Sequence, residues 1–231
     1  MIKRCILYSA YGSWYIQEAV RSATKTRLHL PDDVDLVLHT PNTKFKNPIF
    51  DKIIVQPFAT GVDRRKKEFH YRQRGFLRLE HSDYDRILFL DTDAFLSRAD
   101  ALCVFDVLDQ FDIAATYAPI RYPGGFKSTA VPDCFPEFNC GVLGFNNTEL
   151  VRSFIRDWEH CYLTNTPPHP HDQGAFRHAL YHSKLRVATL PREYNYRPGI
   201  KHRSDYKKFF TEDESWVRIY HPDRANVHKC K

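Results

Sequence analysis

The sequence predicts an α/β protein with a mostly parallel central sheet flanked by helices. Through the first half of the chain, short apolar runs alternate with segments whose apolar residues recur at helical spacing. The runs are apolar throughout rather than on alternate residues, which is typical of strands covered on both faces. At 231 residues, with no internal repeat and no linker-like segment, the chain is expected to form one domain over 1–231.

The first half contains four predicted strands and two predicted helices. The strands are the apolar runs at 5–10, 34–40, 51–58 and 86–90. The helices are 16–25 and 66–81, the second of which carries an isolated Gly75. Ligands of such sheets bind beyond the carboxyl ends of the strands, so we expect residues 9–12 and 91–93 to lie on one edge of the sheet.

The second half of the chain is less regular. Its predicted helices are 101–110, 172–183 and an amphipathic helix that begins after Asn146 or Thr148 and runs to Leu163. Its predicted strands are 112–118, 138–145, 186–190 and 216–221. The segment 119–137 is rich in Pro and Gly, and loops of this length inside compact domains are usually functional lids or disordered.

The composition is that of a globular protein with a basic surface. The formal charge is +6 and the pI is near 8.9, with a basic run, RRKK, at 64–67. A positive surface attracts phosphate-bearing ligands, nucleic acid or anionic membranes, although this run alone also fits a solvated turn. The aromatic content of 14% suits a cleft for flat rings or sugars as well as an aromatic core.

The expected location follows from the cysteines and the apolar runs. The six cysteines are scattered without a CxxC pair, and several lie in apolar contexts, as buried free thiols do. The apolar run after the basic N-terminus is too short for a signal peptide. No run approaches the ~20 apolar residues of a membrane helix. We therefore expect a cytoplasmic protein without a transmembrane segment.

Two carboxylates end the fourth predicted strand, in the sequence LDTDAFL at 90–96. Side chains two apart in a strand share a face, so Asp91 and Asp93 are expected to converge. At an effective dielectric constant near 20 their repulsion amounts to a few kcal/mol. A shared proton or a divalent cation relieves it, and Mn²⁺ and Mg²⁺ prefer oxygen ligands. Asp-Thr-Asp also makes a good turn after a strand, so the pattern alone leaves both interpretations open.

A pair of this kind also begins the haloacid-dehalogenase phosphatases. Those enzymes normally carry it near the N-terminus, with Thr or Val at the position that Phe95 holds here. They also carry a second acidic cluster later, often GDxxxD. This chain places its pair about 90 residues in and has no such cluster, which disfavours the phosphatase interpretation.

Three further motifs follow the carboxylate pair in a particular order. They are FNCGVLGFN at 138–146, HDQGAF at 171–176 and IYHPDRANVHK at 219–229. With LDTDAFL they give the chain, over essentially its whole length, a resemblance to nucleotide-sugar glycosyltransferases of the GT-A fold. The resemblance is to family 8 and its relatives, the glycogenin and bacterial lipopolysaccharide galactosyltransferase type.

The resemblance implies a metal site and a catalytic site. The metal ligands for Mn²⁺ or Mg²⁺ would be Asp91, Asp93 and His221. Three residues would lie at the donor sugar and the reacting carbon, namely Asn139, Asp172 and Gln173. Gly141 would let the backbone approach the donor closely. Asp172-Gln173 by itself also fits a plain helix N-terminus.

The resemblance also implies donor-binding residues. The end of the first strand contacts the nucleobase in relatives, which indicates Ala10 and Tyr11 with Ser9 behind them. Of the helix before the fourth strand, Arg74 and Arg78 are the candidates to reach the donor, with Arg74 preferred. The tail departs from the usual His-x-x-Gly-x-x-Lys. Arg224 stands where Gly is expected, and Lys229, the candidate phosphate ligand, is displaced by two positions.

The predicted activity is metal-dependent transfer of a sugar from a nucleoside-diphosphate sugar, with UDP favoured, to an acceptor hydroxyl with retention. The acceptor would be a glycan, a lipid-linked glycan or a protein. Residues 1–96 would form the nucleotide-binding half and 97–231 the acceptor side. A nucleotidyltransferase is an alternative, but YSAYGSWY at 8–15 is not a glycine-rich phosphate loop. A basic nucleic-acid-binding protein is disfavoured by the acidic pair, so no nucleic-acid partner is expected.

Overall fold

The computed structural model describes residues 2–55, 83–118, 130–165, 172–197 and 216–222. The strands are β1 Arg4–Ser9, β2 Val34–Thr40, β3 Lys52–Val55, β4 Arg86–Leu90, β5 Phe95–Leu96, β6 Ile113–Tyr117, β7 Phe138–Asn146, β8 Val187–Leu190 and β9 Ile219–Tyr220. The helices are α1 Ser13–Arg27, α2 Val104–Val107, α3 Glu149–Leu163 and α4 Asp172–His182, with 3₁₀ turns at Ala99–Cys103 and Arg192–Asn195. None of these helices is long and apolar enough to cross a membrane.

Seven strands form the central sheet, in the order β3-β2-β1-β4-β7-β6-β8. Strands β3, β2, β1 and β4 run parallel to one another, and β6 runs parallel to β8. Strand β7 is antiparallel to both of its neighbours, β4 and β6. The predicted mostly parallel sheet is confirmed, and β7 reverses direction where the two parallel groups meet.

Each face of the sheet has its own apolar core. One core contains residues of α3 and α4, with Trp158 and Phe176 in edge-to-face contact at a centroid distance of 4.9 Å. The other contains residues of α1 and α2, among them Ile16, Ala19 and Phe105. The central strands are buried on both sides, which explains why β1 and β4 are apolar in their interiors, at Cys5–Tyr8 and Ile87–Leu90.

A second, two-stranded sheet places the last described segment beside β4. In it β5 pairs antiparallel with β9, so that Phe95 lies opposite Tyr220 and Leu96 lies opposite Ile219. Strand β5 begins two residues after Asp93, and β9 directly precedes His221. Their pairing therefore brings the segment that carries Asp91 and Asp93 next to the segment that carries His221. The sequence analysis did not predict β5.

The predicted elements are largely confirmed within the described residues, with two corrections. The predicted helix 101–110 is a 3₁₀ turn followed by the single helical turn α2. The predicted strand 216–221 is reduced to Ile219–Tyr220, because its partner β5 has only two residues. The helix that ends at Leu163 is capped by Thr148, whose Oγ1 accepts from Val151 N at 3.3 Å.

The other cap candidate, Asn146, serves a different element. Its Nδ2 donates to the carbonyl oxygens of Leu108 and Phe111, at 2.5 and 2.8 Å, and so closes the end of the segment after α2. The predicted helix 66–81, the end of the predicted strand 51–58 and most of the loop 119–137 lie outside the described residues.

Candidate active site

Asp91 and Asp93 lie in a turn that follows β4. The backbone N–H of Ala94 donates to the carbonyl oxygen of Asp91 at 2.9 Å, which closes the turn. The expectation that the two carboxylates share one face of a strand is therefore wrong, because the strand ends at Leu90. From the sequence, a plain turn and a metal site were alternative interpretations. The structure has the turn, and the two carboxylates nevertheless lie close together in it.

Helix α1 holds this turn from behind with a buried polar stripe. Glu18, Ser22 and Thr26 are spaced four apart and are each no more than 5% exposed. The Thr92 hydroxyl donates to the Glu18 carboxylate, and the Ser22 hydroxyl donates to the Thr92 carbonyl at 2.7 Å. The N–H of Leu96 donates to Thr26 Oγ1 at 3.1 Å. The stripe thus fixes the backbone on both sides of Asp93.

Strand β1 supports the same turn through Tyr8. The phenol donates to the carbonyl oxygen of Ala94 at 3.0 Å and contacts Thr26 Oγ1 at 2.9 Å. Burial raises the pKa of the Tyr8 phenol, so the group stays protonated and remains a donor.

His221 completes a cluster with the two carboxylates. The backbone N–H of His221 donates to the carbonyl oxygen of Tyr196 at 2.8 Å, which anchors the backbone just beyond β9. Its Nε2 lies 3.3 Å from Asp93 Oδ1 and 3.7 Å from Asp91 Oδ2. The three ligand atoms lie within 4.8 Å of one another. Residues far apart in the sequence are therefore brought to one point, as the metal-site prediction requires.

Gly141, in β7, forms the wall of the cluster. Its carbonyl accepts from Asp91 N at 2.8 Å. A Cβ at this position would lie 2.3 Å from His221 Cε1 and 2.7 Å from Asp91 Oδ2, distances that require one of them to move. The absence of a side chain is thus what allows the histidine and the carboxylate to approach β7.

A buried chain of amides orients the histidine. Asn139 Oδ1 accepts from Gly141 N at 3.0 Å and from Asn195 Nδ2 at 2.9 Å. Asn195 Nδ2 also donates to Thr116 Oγ1 at 2.9 Å. Both N–H groups of Asn195 are then used, so its Oδ1 is the acceptor at 2.8 Å from His221 Nδ1. This network assigns the imidazole proton to Nδ1 and turns Nε2 towards the carboxylates.

The donor set fits a hard divalent cation. Two carboxylate oxygens and one imidazole nitrogen suit Mn²⁺ and Mg²⁺ sites that leave positions for water or phosphate oxygen. The separations of 3.3 and 3.7 Å between His221 Nε2 and the carboxylates are near the spacing of adjacent octahedral ligands, about 3 Å for bonds of about 2.1 Å. The second-sphere partner at Nδ1 is also typical of metal-binding histidines.

No protein-family model and no curated protein matches the sequence, whereas solved structures do. Galactosyltransferase LgtC, in complex with donor and acceptor sugar analogues, matches with a TM-score of 0.62 at 16% identity, over 94% of this chain and 86% of LgtC. Glycosyltransferase GlyE of Streptococcus pneumoniae TIGR4 matches with a TM-score of 0.61 at 17% identity, over 96% of this chain and 54% of GlyE. The fold is the GT-A fold. The bifunctional glycosyltransferase WbbM matches as well, with a TM-score of 0.60 at 13% identity, over 95% of this chain and 45% of WbbM.

The predicted nucleobase site lies beside the cluster on the same edge of this GT-A sheet. Strands β1 and β4 are parallel neighbours, with Tyr8 opposite Leu90, so Ser9 and Asp91 are the next residues on each strand. Ser9, Ala10 and Tyr11 are all buried, at 2%, 0% and 7% exposure. Among the described residues, Ser9 Oγ has no hydrogen-bond partner. The shared edge is confirmed, and nucleobase binding stays a prediction.

The predicted catalytic pair begins helix α4. Asp172 is 3% exposed, and its carbonyl accepts from Trp158 Nε1 at 3.0 Å, which ties the start of α4 to α3. Gln173 Nε2 donates to Glu137 Oε1 at 2.6 Å. Glu137 lies two residues before Asn139, so this bond links α4 to the strand that walls the metal cluster. The catalytic roles stay predictions.

Three donor-site candidates lie outside the described residues, namely Arg74, Arg78 and Lys229. Conversely, Asn195, Thr116 and Glu137 lie at the site but were not predicted from the sequence. Asn195 stands in LPREYNYRP, where nothing in the spacing separates it from a loop asparagine. Glu137 carried one available signal, because it shares the alternation of β7 with Asn139.

Proposed function

We propose that this protein is a metal-dependent glycosyltransferase of the family 8 kind. It moves a sugar from a nucleoside-diphosphate sugar, preferably a UDP-sugar, to a hydroxyl of an acceptor. The observation that carries the proposal is the cluster of Asp91 with the buried Asp93 and His221 at the edge of a GT-A sheet where its ligands are expected. A glycan, a lipid-linked glycan or a protein would be the acceptor.

The residues of the cluster would hold Mn²⁺ or Mg²⁺. When bound, this ion supplies positive charge that stabilises the departing diphosphate. Asp91, Asp93 and His221 would be its protein ligands, and Gly141 leaves the space that His221 and Asp91 occupy. Gly141 is also proposed to let the backbone approach the donor closely. Arg74, Arg78 and Lys229 are proposed to bind the phosphates as well, since basic side chains stabilise the same developing charge.

The sugar would lie towards α4 and β7. Asn139 and Asp172 are proposed to contact it, and Gln173 to lie near the reacting carbon. Retention is proposed because the Asp172-Gln173 motif resembles that of retaining relatives, which need no strong base. Inversion would require a carboxylate base for the acceptor hydroxyl, for which Asp172 is the one well-placed candidate from the sequence. In this scheme residues 1–96, with Ser9, Ala10 and Tyr11 at the base, bind the nucleotide, and residues 97–231 serve the acceptor.

A thermal-shift panel of UDP- and GDP-sugars tests the proposal. We expect a rise in the melting temperature with a UDP-sugar in Mn²⁺ or Mg²⁺, and no rise when a chelator is added, because bound ligand stabilises the folded state. Mass spectrometry of the same mixtures would detect the freed UDP. If no nucleotide sugar shifts the melting temperature with any metal, the proposal is wrong.

The rivals predict different results from the same protein. A nucleotidyltransferase would consume a nucleoside triphosphate and release pyrophosphate, and a nucleic-acid-binding protein would bind DNA or RNA with a steep salt dependence but without a need for metal. Either result without release of UDP from UDP-sugars would replace the glycosyltransferase proposal.

A further inference from the structure

A buried carboxylate, Glu137, contacts the residue proposed to lie at the reacting carbon. Glu137 is 6% exposed and immediately precedes β7. Carboxylates are rarely buried to this degree without a specific partner. Its carboxylate Oε1 accepts a hydrogen bond from Gln173 Nε2 at 2.6 Å, and this bond joins the start of α4 to the start of β7.

The backbone at Glu137 continues the geometry of the sheet. Its carbonyl accepts from Ala118 N at 2.8 Å, which extends the pairing of β6 with β7 by one rung. Successive side chains of an extended strand point to opposite faces, so Glu137 and Asn139 share one side while Phe138 lies on the other, in the core beneath α3 and α4. Glu137 therefore belongs to the row of residues that leads to Asn139 and the metal cluster.

The contact fixes which end of the Gln173 amide faces which way. An ionised carboxylate only accepts hydrogen bonds, so Gln173 must present its NH₂ group to Glu137. The amide oxygen then lies on the other edge of the planar amide group, away from Glu137. The bond to Glu137 is the one hydrogen bond that the described residues make with the Gln173 side chain. Without Glu137, no hydrogen bond from the described residues would fix the orientation of the amide.

We propose that Glu137 is a positioning residue that holds Gln173 with its amide oxygen, rather than its NH₂, towards the donor sugar; this inference rests on the proposed glycosyltransferase function. Positive charge develops at the anomeric carbon as the diphosphate departs. An amide oxygen stabilises that charge, whereas an NH₂ group in its place would oppose it. The carboxylate behind Gln173 also polarises the amide, which strengthens the partial negative charge on its oxygen.

The test is a double-variant cycle in sugar transfer or donor hydrolysis, with Glu137→Gln, Gln173→Ala and the two combined. Glu137→Gln keeps the size of the side chain but accepts either orientation of Gln173. We expect kcat to fall about 10- to 100-fold, with the donor KM and the Mn²⁺ affinity unchanged. In the Gln173→Ala background, Glu137→Gln should cause no further loss, because Glu137 acts through Gln173. Glu149→Gln, an exposed carboxylate in α3, is the matched control and should have no effect.

Several results would overturn the inference. Full kcat in Glu137→Gln would do so, and so would an equal loss in both backgrounds, which would show that Glu137 acts without Gln173. If circular dichroism shows that Glu137→Gln does not fold, Glu137→Asp replaces it. That variant keeps the charge but withdraws the carboxylate by one methylene, and full kcat in it would likewise overturn the inference. An active wild type with an unaffected Glu137→Gln removes this role alone, whereas a wild type that cleaves no nucleotide sugar removes the proposed function with it.

Discussion

The candidate metal cluster, Asp91, Asp93 and His221, is held by two arms of different construction. The carboxylate arm consists of residues 91–96 and the α1 stripe of Glu18, Ser22 and Thr26. The histidine arm consists of His221 with Asn195, Asn139 and Thr116. In the first arm both carboxylates lie in one short turn, and the support comes from backbone and side-chain contacts with one helix. In the second arm a single ligand is oriented by side chains from three separate segments.

The two constructions match what each kind of ligand needs: a carboxylate must be in the correct position, and an imidazole must also have the correct orientation. A carboxylate binds a cation through either oxygen, so its turn needs only to be placed correctly. An imidazole binds through one nitrogen, and the correct tautomer must face the ion, so its other nitrogen needs a defined partner. Substitution of the residues that support the carboxylates is therefore expected to lower mainly stability, whereas substitution of the residues that orient His221 is expected to lower mainly metal affinity.

The largest effect is expected when the ligands of the carboxylate arm are removed. Asp91→Asn with Asp93→Asn should lower Mn²⁺ affinity more than about 100-fold, beyond the 10- to 100-fold typical for second-sphere partners. The melting temperature of the metal-free protein should not fall, because the repulsion between the carboxylates is removed. Electron paramagnetic resonance of free Mn²⁺ measures the affinity, with exposed Asp106→Asn in α2 as control. Affinity equal to that of the wild type would exclude this metal site.

The next largest effect is expected at Gly141, the residue of β7 that lies against both His221 and Asp91. Gly141→Ala would place a Cβ 2.3 Å from His221 Cε1 and should lower Mn²⁺ affinity between about 10- and 100-fold, since the ligands must separate. Gly144→Ala in the same strand is the matched control, because its Cβ would meet side-chain carbons of Ala114 and Val104 at 3.2 and 3.3 Å. The control should alter the melting temperature only. Equal losses of affinity in both variants would contradict the assignment of Gly141 to the site.

A smaller effect is expected in the histidine arm. Asn195→Leu removes the acceptor for His221 Nδ1–H and should lower Mn²⁺ affinity about tenfold, at the lower end of the range for second-sphere partners. Asn195→Asp keeps an acceptor for that proton and should recover most of the affinity. Calorimetric titration with Mn²⁺ provides the comparison. If Asp at this position is no better than Leu, the orientation of His221 does not depend on Asn195 as we describe.

The smallest change in metal affinity is expected behind the carboxylate turn. Thr92→Val leaves the buried Glu18 carboxylate without its hydroxyl donor and should lower the free energy of unfolding by about 1–3 kcal/mol. Its effect on Mn²⁺ affinity should be less than that of Asn195→Leu. Urea denaturation measures the first quantity, with Thr24→Val at an exposed position of α1 as control. A loss of affinity without a loss of stability would reverse our distinction between the two arms.

The sequence predicted the frame of the molecule well because that frame rests on local patterns. Mostly apolar runs predicted β1, β2, β4 and β7 nearly to the residue, since strands buried on both faces are rich in apolar residues. Failures occurred where a partner sets the length of an element. Strand β9 is short because its partner β5 is short. The helical segment within 101–110 ends early, where Asn146 of β7 donates a hydrogen bond to the carbonyl oxygen of Leu108.

The sequence by itself determined the α/β class, the ligand-bearing edge of the sheet and the identity of Asp91, Asp93 and His221 as candidate metal ligands. Only the tertiary structure decided how they are held. The stripe of Glu18, Ser22 and Thr26 is, by its pattern, an ordinary solvent-facing row of a helix, yet it is buried against the carboxylate turn. Buried polar groups need partners, and whether a polar row is buried depends on which distant segment packs against it, which no local pattern records.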